Sequence, residues 1–395
     1  MKILHFSWEY PPVMFGGLGA HVVELTREQV KQGHQVTVIT QQSDPASPVS
    51  EVVQGVQVLR ANNAYPNIPF AQESLDMWAH GFALGSFAAA RDHMGDWIPE
   101  IVHGHDWVGA EQTQLLSRHL NIPQVITIHA TEFGRHQGWL VTRTSRTVHA
   151  RELRAIAQAS RVIVCSEYMK HELVDSLGSD YRKISVVPNG VDSSESGSFR
   201  LPRQSHDPFT IGFLGRVEWE KGAHHVIDAL ALLNNSRFRV RIVGIGSQLP
   251  NLISKVARLG LTDQVDLFGY VSSERKRELL RECNVLVVPS SYEPFGIVAL
   301  EAGLAGVPLV VSRAGGLRDV IPNQEFGYPL EVVTGETIAQ CITEIDQDPQ
   351  ESNVRAQKFF NRVVNVYNWA SIANLTTDVY RVAMEVEGME VEGHE

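Results

Sequence analysis

Short apolar runs rich in β-branched residues recur along the chain, and they alternate with segments of helical periodicity. One helical segment runs from Leu18 to Lys31, with Leu18, Val22, Leu25 and Val30 at roughly helical intervals. Strands that alternate with helices predict parallel sheets covered by helices on both faces. The predicted strands are residues 2–6, 35–40, 56–60, 100–105, 124–130, 161–166, 184–189, 209–217, 238–244, 264–271, 284–290 and 308–313.

A polar, serine-rich stretch at 193–208 interrupts this pattern, which starts again at residue 209. The chain has 395 residues, which is above the size at which a single core keeps growing. We therefore predict an α/β protein with two doubly wound parallel-sheet domains, joined by a linker at 193–208. Ligands of such sheets bind beyond the carboxyl ends of the strands, so two domains that face each other would share a central cleft.

The composition narrows the class of protein. A hydrophobic fraction of 43% and a charged fraction of 20% are ordinary for a soluble globular chain. The formal net charge of −11 argues against a nucleic-acid partner. The three cysteines show no CxxC spacing, which disfavours a disulfide framework or a zinc site and favours a cytoplasmic location. No apolar run approaches the roughly 20 residues that span a bilayer, although peripheral membrane contact stays open.

A glycine-rich loop, "FGGLGAHV" at 15–22, follows the first predicted strand and opens a helix. Glycine lets backbone N–H groups approach a ligand closely, and a helix N-terminus favours an anion. The spacing is not GxGxxG, and no acidic residue follows at the distance that would bind an NAD ribose. The loop therefore indicates either a phosphate site or a tight turn without a ligand.

A second loop, "GFLGRVEWEKG" at 212–222, places two cations after a strand and before a helix. Arg216 offers a bidentate fork and Lys221 a point charge, which together suit a diphosphate. The alternative is a solvated loop in which these cations pair with Glu218 and Glu220.

Two carboxylates lie in the apolar stretch "SYEPFGIVALEAGLAGVPLV" at 291–310. Glu293 comes just before a predicted short helix, and Glu301 lies about one and a half turns inside it. Hydroxyl-rich ligands suit such carboxylates, because a sugar diol donates two hydrogen bonds to one carboxylate. The alternative is that Glu293 stabilises the helix N-terminus and that Glu301 pairs with Arg313 or Arg318.

These segments together resemble the retaining glycosyltransferases of the GT-B fold, family 4. The stretch with Glu293 and Glu301 is similar to their E-x7-E element, and "GFLGRVEWEKG" is similar to their Arg/Lys diphosphate loop. "SWEYPP…GGLGAHV" resembles in particular the glycogen-synthase-like α-glucosyltransferases of this group. The resemblance covers nearly the whole chain. It implies two Rossmann-like domains, 1–190 on the acceptor side and 191–367 on the donor side, with a last helix at about 368–388 that packs back on the first.

The resemblance also implies roles for individual residues on the donor side. Arg216 and Lys221 would hold the pyrophosphate of the donor, and Glu301 its ribose. Glu293 would bind hydroxyls of the transferred sugar. Backbone N–H groups at Phe295 and Gly296, and Gly17 from the first domain, would lie near the phosphates. The nucleotide base would be held by backbone groups near 268–270.

Three further residues of the first domain match positions of this family. His129 matches a histidine that contacts the donor sugar near its 6-hydroxyl, although a core histidine satisfied by a carbonyl is the alternative. Asp106 and Trp107 match a segment that lines the acceptor side, with a capping Asp and a buried Trp as the alternative. Met14 departs from the family, since starch and glycogen synthases of the ADP-glucose type usually carry a lysine there.

The implied reaction moves a hexosyl unit, most simply glucose, from a UDP-, ADP- or GDP-linked donor to an acceptor hydroxyl with retention of the α configuration. The acceptor would be a carbohydrate or a small molecule. Cations and helix N-termini would stabilise the leaving diphosphate, so we expect no metal or other cofactor to be required. A nucleotide-sugar 2-epimerase of the same architecture and a non-catalytic nucleotide-sugar sensor are the alternative functions.

Overall fold

The computed structural model describes residues 1–14, 16–42, 44–95, 97–192, 199 and 208–392, so the predicted linker at 193–208 lies almost entirely outside the described residues. The chain divides into two compact units. The first unit combines Met1–Gly190 with Trp369–Glu395, and the second is Val191–Asn368. The boundaries predicted after residues 190 and 367 differ from these by no more than one residue.

The first unit is built on a sheet in which eight strands are described, in the order β3-β4-β2-β1-β5-β6-β7-β8. Neighbouring strands are parallel except β3 and β4, which form an antiparallel pair. The strands are β1 Lys2–Phe6, β2 Gln35–Gln41, β3 Ser50–Val53, β4 Val56–Ala61, β5 Ile101–His105, β6 Gln124–Ile128, β7 Arg161–Val164 and β8 Ile184–Val186.

Helices cover both faces of this sheet, because successive strand residues point to opposite sides. Ile3 packs in one core with residues of α1 and α14, whereas Leu4 and Phe6 pack in another with residues of α2 and α3. The helices of the first unit are α1 Gly17–Lys31, α2 Leu75–Met94, α3 Asp106–Leu120, α4 Glu132–Arg135, α5 Arg143–Gln158, α6 Glu167–His171 and α14 Trp369–Glu392.

The second unit is built on a six-stranded sheet, as far as the described residues go, in the order β11-β10-β9-β12-β13-β14. Every neighbouring pair in it is parallel. Its strands are β9 Phe209–Leu214, β10 Phe238–Val243, β11 Val265–Gly269, β12 Val285–Val288, β13 Leu309–Ser312 and β14 Tyr328–Leu330. Its helices are α7 Ala223–Leu233, α8 Leu249–Arg258, α9 Ser273–Arg281, α10 Ile297–Leu304, α11 Leu317–Val320, α12 Gly335–Gln347 and α13 Pro349–Val366.

Each sheet has a point at which the strand order reverses. In the first unit β1 lies between β2 and β5, and in the second unit β9 lies between β10 and β12. Loops at the carboxyl ends of two such neighbouring strands diverge, which leaves room for a ligand between them. The candidate residues of both units follow these central strands or their immediate neighbours.

Several predicted strands were too long at their carboxyl ends. The run predicted at 209–217 ends at Leu214, because Gly215 leaves the extended conformation with φ of 140°. The run predicted at 124–130 ends at Ile128, and His129 already belongs to the loop.

No helix of the described residues is both long enough and apolar enough to cross a membrane.

The last helix, α14, packs on α1 within the first unit, as predicted. Tyr380 on this helix is fully buried. Its hydroxyl accepts a hydrogen bond from Gln29 Nε2 at 3.1 Å and lies 2.7 Å from His103 Nδ1. The helix therefore brings a polar group into the core of the first unit and satisfies two buried side chains there.

We expect Tyr380→Phe to lower the free energy of unfolding of the first unit by about 1–3 kcal/mol, because Gln29 and His103 each lose a buried partner. Urea denaturation followed by circular dichroism measures this change. Tyr181→Phe is the matched control, since Tyr181 lies in the same unit and is 63% exposed. Equal stability of the two variants would contradict the structural role of the Tyr380 hydroxyl.

Candidate functional site

The second unit brings the predicted diphosphate loop next to the first glutamate of the E-x7-E element. Arg216 and Lys221 follow β9, and Glu293 follows β12. These strands are neighbours in the sheet, with Ile211 opposite Val285 and Gly212 opposite Leu286. Parallel register therefore carries both loops to the same edge.

Lys221 and Glu293 form an ion pair across this edge. The distance from Lys221 Nζ to Glu293 Oε2 is 2.8 Å, and the two side chains are only 17% and 16% exposed. The same carboxylate oxygen lies 3.4 Å from Ser290 Oγ, and Lys221 Nζ also lies 3.5 Å from the carbonyl oxygen of Tyr292. Removing one partner of such a pair leaves a poorly solvated charge, which is destabilising.

Arg216 is more accessible than Lys221. Its side chain is 60% exposed, and its Nη2 lies 3.2 Å from Glu220 Oε1. Glu218 does not join this pair, because its carboxylate accepts hydrogen bonds from the backbone N–H and the hydroxyl of Ser247. An exposed ion pair contributes little to stability, so Arg216 is available to a stronger anionic partner.

Two helices begin at this edge without a side-chain cap. The N-cap of α7 is Gly222, with φ of 73°, and the N-cap of α10 is Gly296, with φ of 108°. A Cβ atom at Gly222 would lie 2.4 Å from the carbonyl oxygen of Pro289, so a side chain does not fit there. Uncapped helix N-termini present N–H groups that favour an anion. Phe295, just before Gly296, is buried against the ring of Tyr367, with ring centroids 5.8 Å apart.

Glu301 is paired with a residue that the sequence did not indicate. Its carboxylate forms an ion pair with Lys276 on α9. The prediction that Glu301 pairs with Arg313 or Arg318 is wrong. Arg313 Nε lies 3.3 Å from Glu331 Oε1, and Arg318 Nε donates to the carbonyl oxygen of Arg313. Lys276 is 25 residues away from Glu301 along the chain, and nothing in its local sequence connects the two.

The segment predicted to hold the base, 268–270, ends the edge strand β11. The carbonyl oxygen of Gly269 already accepts a hydrogen bond from Gly244 N–H at 2.8 Å. Tyr270 is 80% exposed. The position at the carboxyl edge agrees with the expectation, and the base contact itself stays a prediction.

In the first unit, Gly17 is the first residue of α1, as the glycine-rich loop predicts. Gly16 precedes it as the N-cap, and its backbone N–H donates to Glu9 Oε2 at 3.0 Å. A buried carboxylate therefore already lies beside this helix N-terminus. A phosphate at Gly17 would share the site with that negative charge, which the sequence did not indicate.

Asp106 holds the loop that carries His129. Its Oδ1 accepts a hydrogen bond from the His129 backbone N–H at 2.7 Å. Burial raises the pKa of Asp106 to about 6, while the His129 N–H and Arg135 act in the opposite direction. Asp106 itself adopts a positive φ of 55° at the start of α3. Its carboxylate thus positions the backbone of a second predicted site residue.

Buried imidazoles form a chain that ends at His129. His5 Nε2 lies 2.8 Å from Gln29 Oε1, His5 Nδ1 lies 3.1 Å from His105 Nε2, and His105 Nδ1 lies 3.2 Å from His129 Nε2. Burial lowers the pKa of His5 and of His129 to about 4 and that of His105 well below its ordinary value. All three rings are therefore neutral at pH 7. The Gln29 side-chain oxygen accepts a hydrogen bond from His5 Nε2–H, so His5 Nδ1 has no proton and accepts from His105 Nε2–H. In the same way, His105 Nδ1 accepts from His129 Nε2–H.

This histidine cluster was not among the predicted site residues, although the spacing of histidines in the sequence is a signal for it. His103 and His105 are two residues apart on β5 and point to the same face. His5 on β1 lies opposite His103 in the parallel register. A further buried histidine, His21 on α1, has its ring centroid 4.8 Å from that of the partly exposed His129.

Trp107 lines a cavity of about 130 Å³ between α3 and α5. Arg151 lies over its ring, with Cζ 5.9 Å from the ring centroid. Arg151 Nη1 also pairs with Glu111 Oε2 at 3.0 Å. The other polar residues of the lining are Arg154, Gln114, Gln124 and Gln158. The aromatic surface of Trp107 is thus accompanied by polar groups, which is compatible with the predicted acceptor-side role and does not test it.

Two buried glutamates support the loop after His129. The Glu152 carboxylate accepts the backbone N–H of Glu132 at 2.9 and 3.0 Å, and Glu172 accepts the hydroxyl of Thr131. Burial raises the pKa of Glu152 to about 8, although the Glu132 N–H acts in the opposite direction. Glu152 and Glu172 were not among the predicted residues, because their role depends on tertiary contacts.

Comparisons with known proteins agree with this architecture. Residues 15–195 match the family described as glycosyltransferase family 4, and residues 199–359 match glycosyl transferases group 1. The chain is 34% identical over 399 residues to the glycogen synthase of Mycobacterium tuberculosis, an alignment that covers 98% of this chain and 96% of that protein. It is 31% identical to an uncharacterized glycosyltransferase of Methanocaldococcus jannaschii, over 98% of this chain and 100% of that protein.

The fold resembles that of sucrose-phosphate synthase from Thermosynechococcus elongatus, with a TM-score of 0.82, 23% identity, and coverage of 98% and 99% of the two chains. The chain therefore belongs to the glycosyltransferases of family 4 and group 1, and it is a glycosyltransferase of the GT-B fold. The family resemblance and the fold class predicted from the sequence are confirmed.

We expect Glu152 to contribute stability to the first unit that is lost as the pH rises from about 5 to 8. In this range the folded chain retains a proton on Glu152 that the unfolded chain has released, so this group favours unfolding as the pH rises. The buried histidines have lowered pKa values and act in the opposite direction up to about pH 6.5, so the variant is compared with the wild type. Glu152→Gln keeps an oxygen that accepts from Glu132 N–H and removes the titration of Glu152. Its melting temperature, relative to that of the wild type, should therefore rise as the pH rises from about 5 to 8.

Thermal denaturation at several pH values measures this difference. Glu73→Gln is the matched control, because Glu73 is an exposed glutamate of the same unit. If the difference in melting temperature between Glu152→Gln and the wild type is the same at pH 5 and at pH 8, Glu152 is not protonated in the folded chain.

Proposed function

We propose that this chain is a retaining glycosyltransferase that moves a hexosyl unit, most simply glucose, from a nucleotide diphosphate sugar to an acceptor hydroxyl with α configuration. The observation that carries the proposal is the Lys221–Glu293 ion pair at the edge shared by β9 and β12. It joins a cation suited to phosphate and a carboxylate suited to sugar hydroxyls within 2.8 Å.

The leaving diphosphate gains negative charge as the glycosidic bond breaks. Arg216 and Lys221 supply two positive charges beside it, and the uncapped N-termini of α7 and α10 at Gly222 and Gly296 supply N–H donors. Preorganised donors of this kind stabilise a developing charge without reorganisation of solvent. We therefore propose that transfer requires no divalent metal.

The two glutamates of the E-x7-E element bind the alcohols on either side of the diphosphate. Glu293 accepts hydrogen bonds from hydroxyls of the transferred sugar, while Lys221 turns its charge toward the phosphate. Glu301 accepts hydrogen bonds from the ribose hydroxyls, and Lys276 balances its charge. Each carboxylate already has a cationic partner, so neither is left as an isolated charge when the donor is absent.

Residues of the first unit complete the proposed roles. His129 contacts the donor sugar with a neutral imidazole, and Asp106 acts on it indirectly by holding its backbone N–H. Gly17 lets the backbone approach the phosphates, and Trp107 offers an aromatic surface on the acceptor side. Because its relative in Mycobacterium tuberculosis is named a glycogen synthase, we propose glucose as the sugar and an α-glucan or a sugar phosphate as the acceptor class. The family and the free cysteines favour action in the cytoplasm.

Product analysis tests this proposal. Binding of UDP, ADP and GDP is first ranked by thermal shift, and the matching donor sugars are then incubated with and without acceptors in the presence of EDTA. Mass spectrometry should show a glycosylated acceptor, and NMR should show an α linkage. An isomerised donor without acceptor would instead identify an epimerase, and tight binding without turnover across the acceptor panel would identify a sensor.

Glu293→Gln belongs in the same experiment, because it keeps the volume of the side chain and removes its charge. We propose that it lowers turnover by orders of magnitude in a chain that circular dichroism shows to be folded, although the unpaired Lys221 should lower the melting temperature. Glu325→Gln is the matched control on the same unit, since Glu325 is 50% exposed in a surface pair with Lys358. Equal turnover of the two variants would refute the role of Glu293.

Arg216→Ala should weaken binding of the preferred nucleoside diphosphate, because one of the two cations beside the diphosphate is lost. Isothermal titration calorimetry at low salt measures the affinity, and we expect a loss of about 10-fold or more. Arg239→Ala is the control, since Arg239 is an exposed arginine on β10, a neighbouring strand of the same sheet. If the two variants bind equally well, Arg216 is an ordinary surface charge.

A further inference from the structure

The histidine cluster of the first unit contains a nitrogen atom that the proposed reaction leaves unexplained. His21 on α1 is 4% exposed, and its Nδ1 lies 2.8 Å from Asn189 Oδ1. Its Nε2 is buried and has no hydrogen-bond partner among the described residues. An unsatisfied buried polar atom costs free energy, so we expect a water molecule or an ion to bind His21 Nε2.

Two other imidazoles lie beside this atom. One ring nitrogen from each of His21, His105 and His129 lies within 4.8 Å of the other two. The distance from His105 Nδ1 to His129 Nε2 is 3.2 Å. Two imidazole nitrogens on one tetrahedral zinc ion are about 3.3–3.4 Å apart, so this pair already has the spacing of a metal site. His21 completes it with a movement of no more than about 1.5 Å.

The outer hydrogen bonds also suit a metal site. A metal-binding histidine usually donates its second ring N–H to an acceptor, which fixes the ring. His21 does so through Nδ1 to Asn189 Oδ1, and His105 does so through Nε2 to His5 Nδ1. His5 in turn is held by Gln29.

We propose that His21, His105 and His129 form a site for a divalent metal ion of the zinc class. Three imidazoles favour Zn²⁺, Co²⁺ or Cu²⁺ over Mg²⁺ or Ca²⁺, which prefer oxygen ligands. His105 Nδ1 carries a free electron pair in the tautomer described above. His129 binds through Nε2 after its proton moves from Nε2 to Nδ1 through solvent, so no net proton is released. The partly exposed His129 leaves a fourth position for water.

A second group in the same cluster does not carry this proposal. His5, His103 and His105 also have ring nitrogens within reach of one another. Both nitrogens of His103 are already bonded, to the Tyr380 hydroxyl and to Thr127 Oγ1, each at 2.7 Å. A metal there would break both hydrogen bonds of His103, whereas a metal at His21 would replace one hydrogen bond, between His105 and His129, and would satisfy the vacant His21 Nε2.

No metal was predicted from the sequence, because the three cysteines show no CxxC spacing and because cations and helix N-termini were expected to stabilise the diphosphate. The three histidines are separated by 84 and 24 residues, so no local spacing reveals them. They meet because α1 follows β1, while β5 and β6 are neighbours in the same sheet. The proposed site is an addition to the transfer reaction and is not required for it.

Cobalt titration tests the site on the full chain without any nucleotide sugar. After EDTA treatment and dialysis, we expect one equivalent of Co²⁺ to bind and to give the intense visible absorption of a four-coordinate ion. His21→Gln should abolish this band, and Asn189→Ala should weaken binding about 10- to 100-fold through loss of the outer hydrogen bond. His171→Gln should bind normally, because His171 is an exposed histidine of the same unit.

Absence of the band in the wild type, or an equal affinity in His21→Gln, would overturn the site. Circular dichroism verifies that each variant is folded. If His21→Gln does not fold, the affinity of Asn189→Ala for Co²⁺ tests the site instead. An unchanged affinity in a folded Asn189→Ala would then count against the proposal.

A consequence for transfer rests on the proposed function of His129. A bound Zn²⁺ occupies the nitrogen that faces His105 and fixes the ring, so it should inhibit transfer at the concentration at which it binds. His129→Gln cannot separate the two roles, because it would remove a metal ligand and a residue of the proposed reaction site at the same time. Binding of Co²⁺ without inhibition by Zn²⁺ would remove the role of His129 in transfer and leave the metal site intact.

Discussion

The ion pair between Lys221 and Glu293 is the contact on which the second unit depends at its candidate site. It connects the loops after β9 and β12, where the strand order reverses. Without the lysine, the glutamate would be a poorly solvated carboxylate beside apolar strands, and without the glutamate the lysine would lack its counter-charge. The pair therefore keeps two poorly exposed charges stable and close to each other. In the proposed function, a ligand with both phosphates and hydroxyls would replace their mutual contact.

The first unit differs from the second, because the histidine cluster at its centre is neutral at pH 7. Buried imidazoles, an amide and a tyrosine hydroxyl satisfy one another along a directed chain from α14 to the loop after β6. Burial keeps the rings uncharged, and Asp106 and Glu152 fix the backbone at the end of the chain. A rigid, uncharged environment of this kind can orient a sugar without attracting a competing ion pair.

The sequence predicted the strands and helices better than the side-chain contacts between residues that are distant along the chain. Apolar runs revealed the central strands, and the loops predicted to follow two of them carry Lys221 and Glu293, which form an ion pair. The edge strands β3 and β14 were missed, because they are only four and three residues long and β14 contains Pro329. Lys276 and Glu301, or His21 and His129, meet only through helix packing and strand order, which sequence spacing does not encode.

The path of the chain between the units has a consequence for biosynthesis. The chain leaves the first unit at Gly190 and returns to it at Trp369, and a Cβ atom at Gly190 would lie 2.7 Å from the indole of Trp369. The second unit is thus an insertion whose whole sequence emerges from the ribosome before the first unit receives α14. Newly made chains therefore pass through a stage in which the sheet of the first unit still lacks part of its cover, and α14 then closes a core to which β1 already belongs.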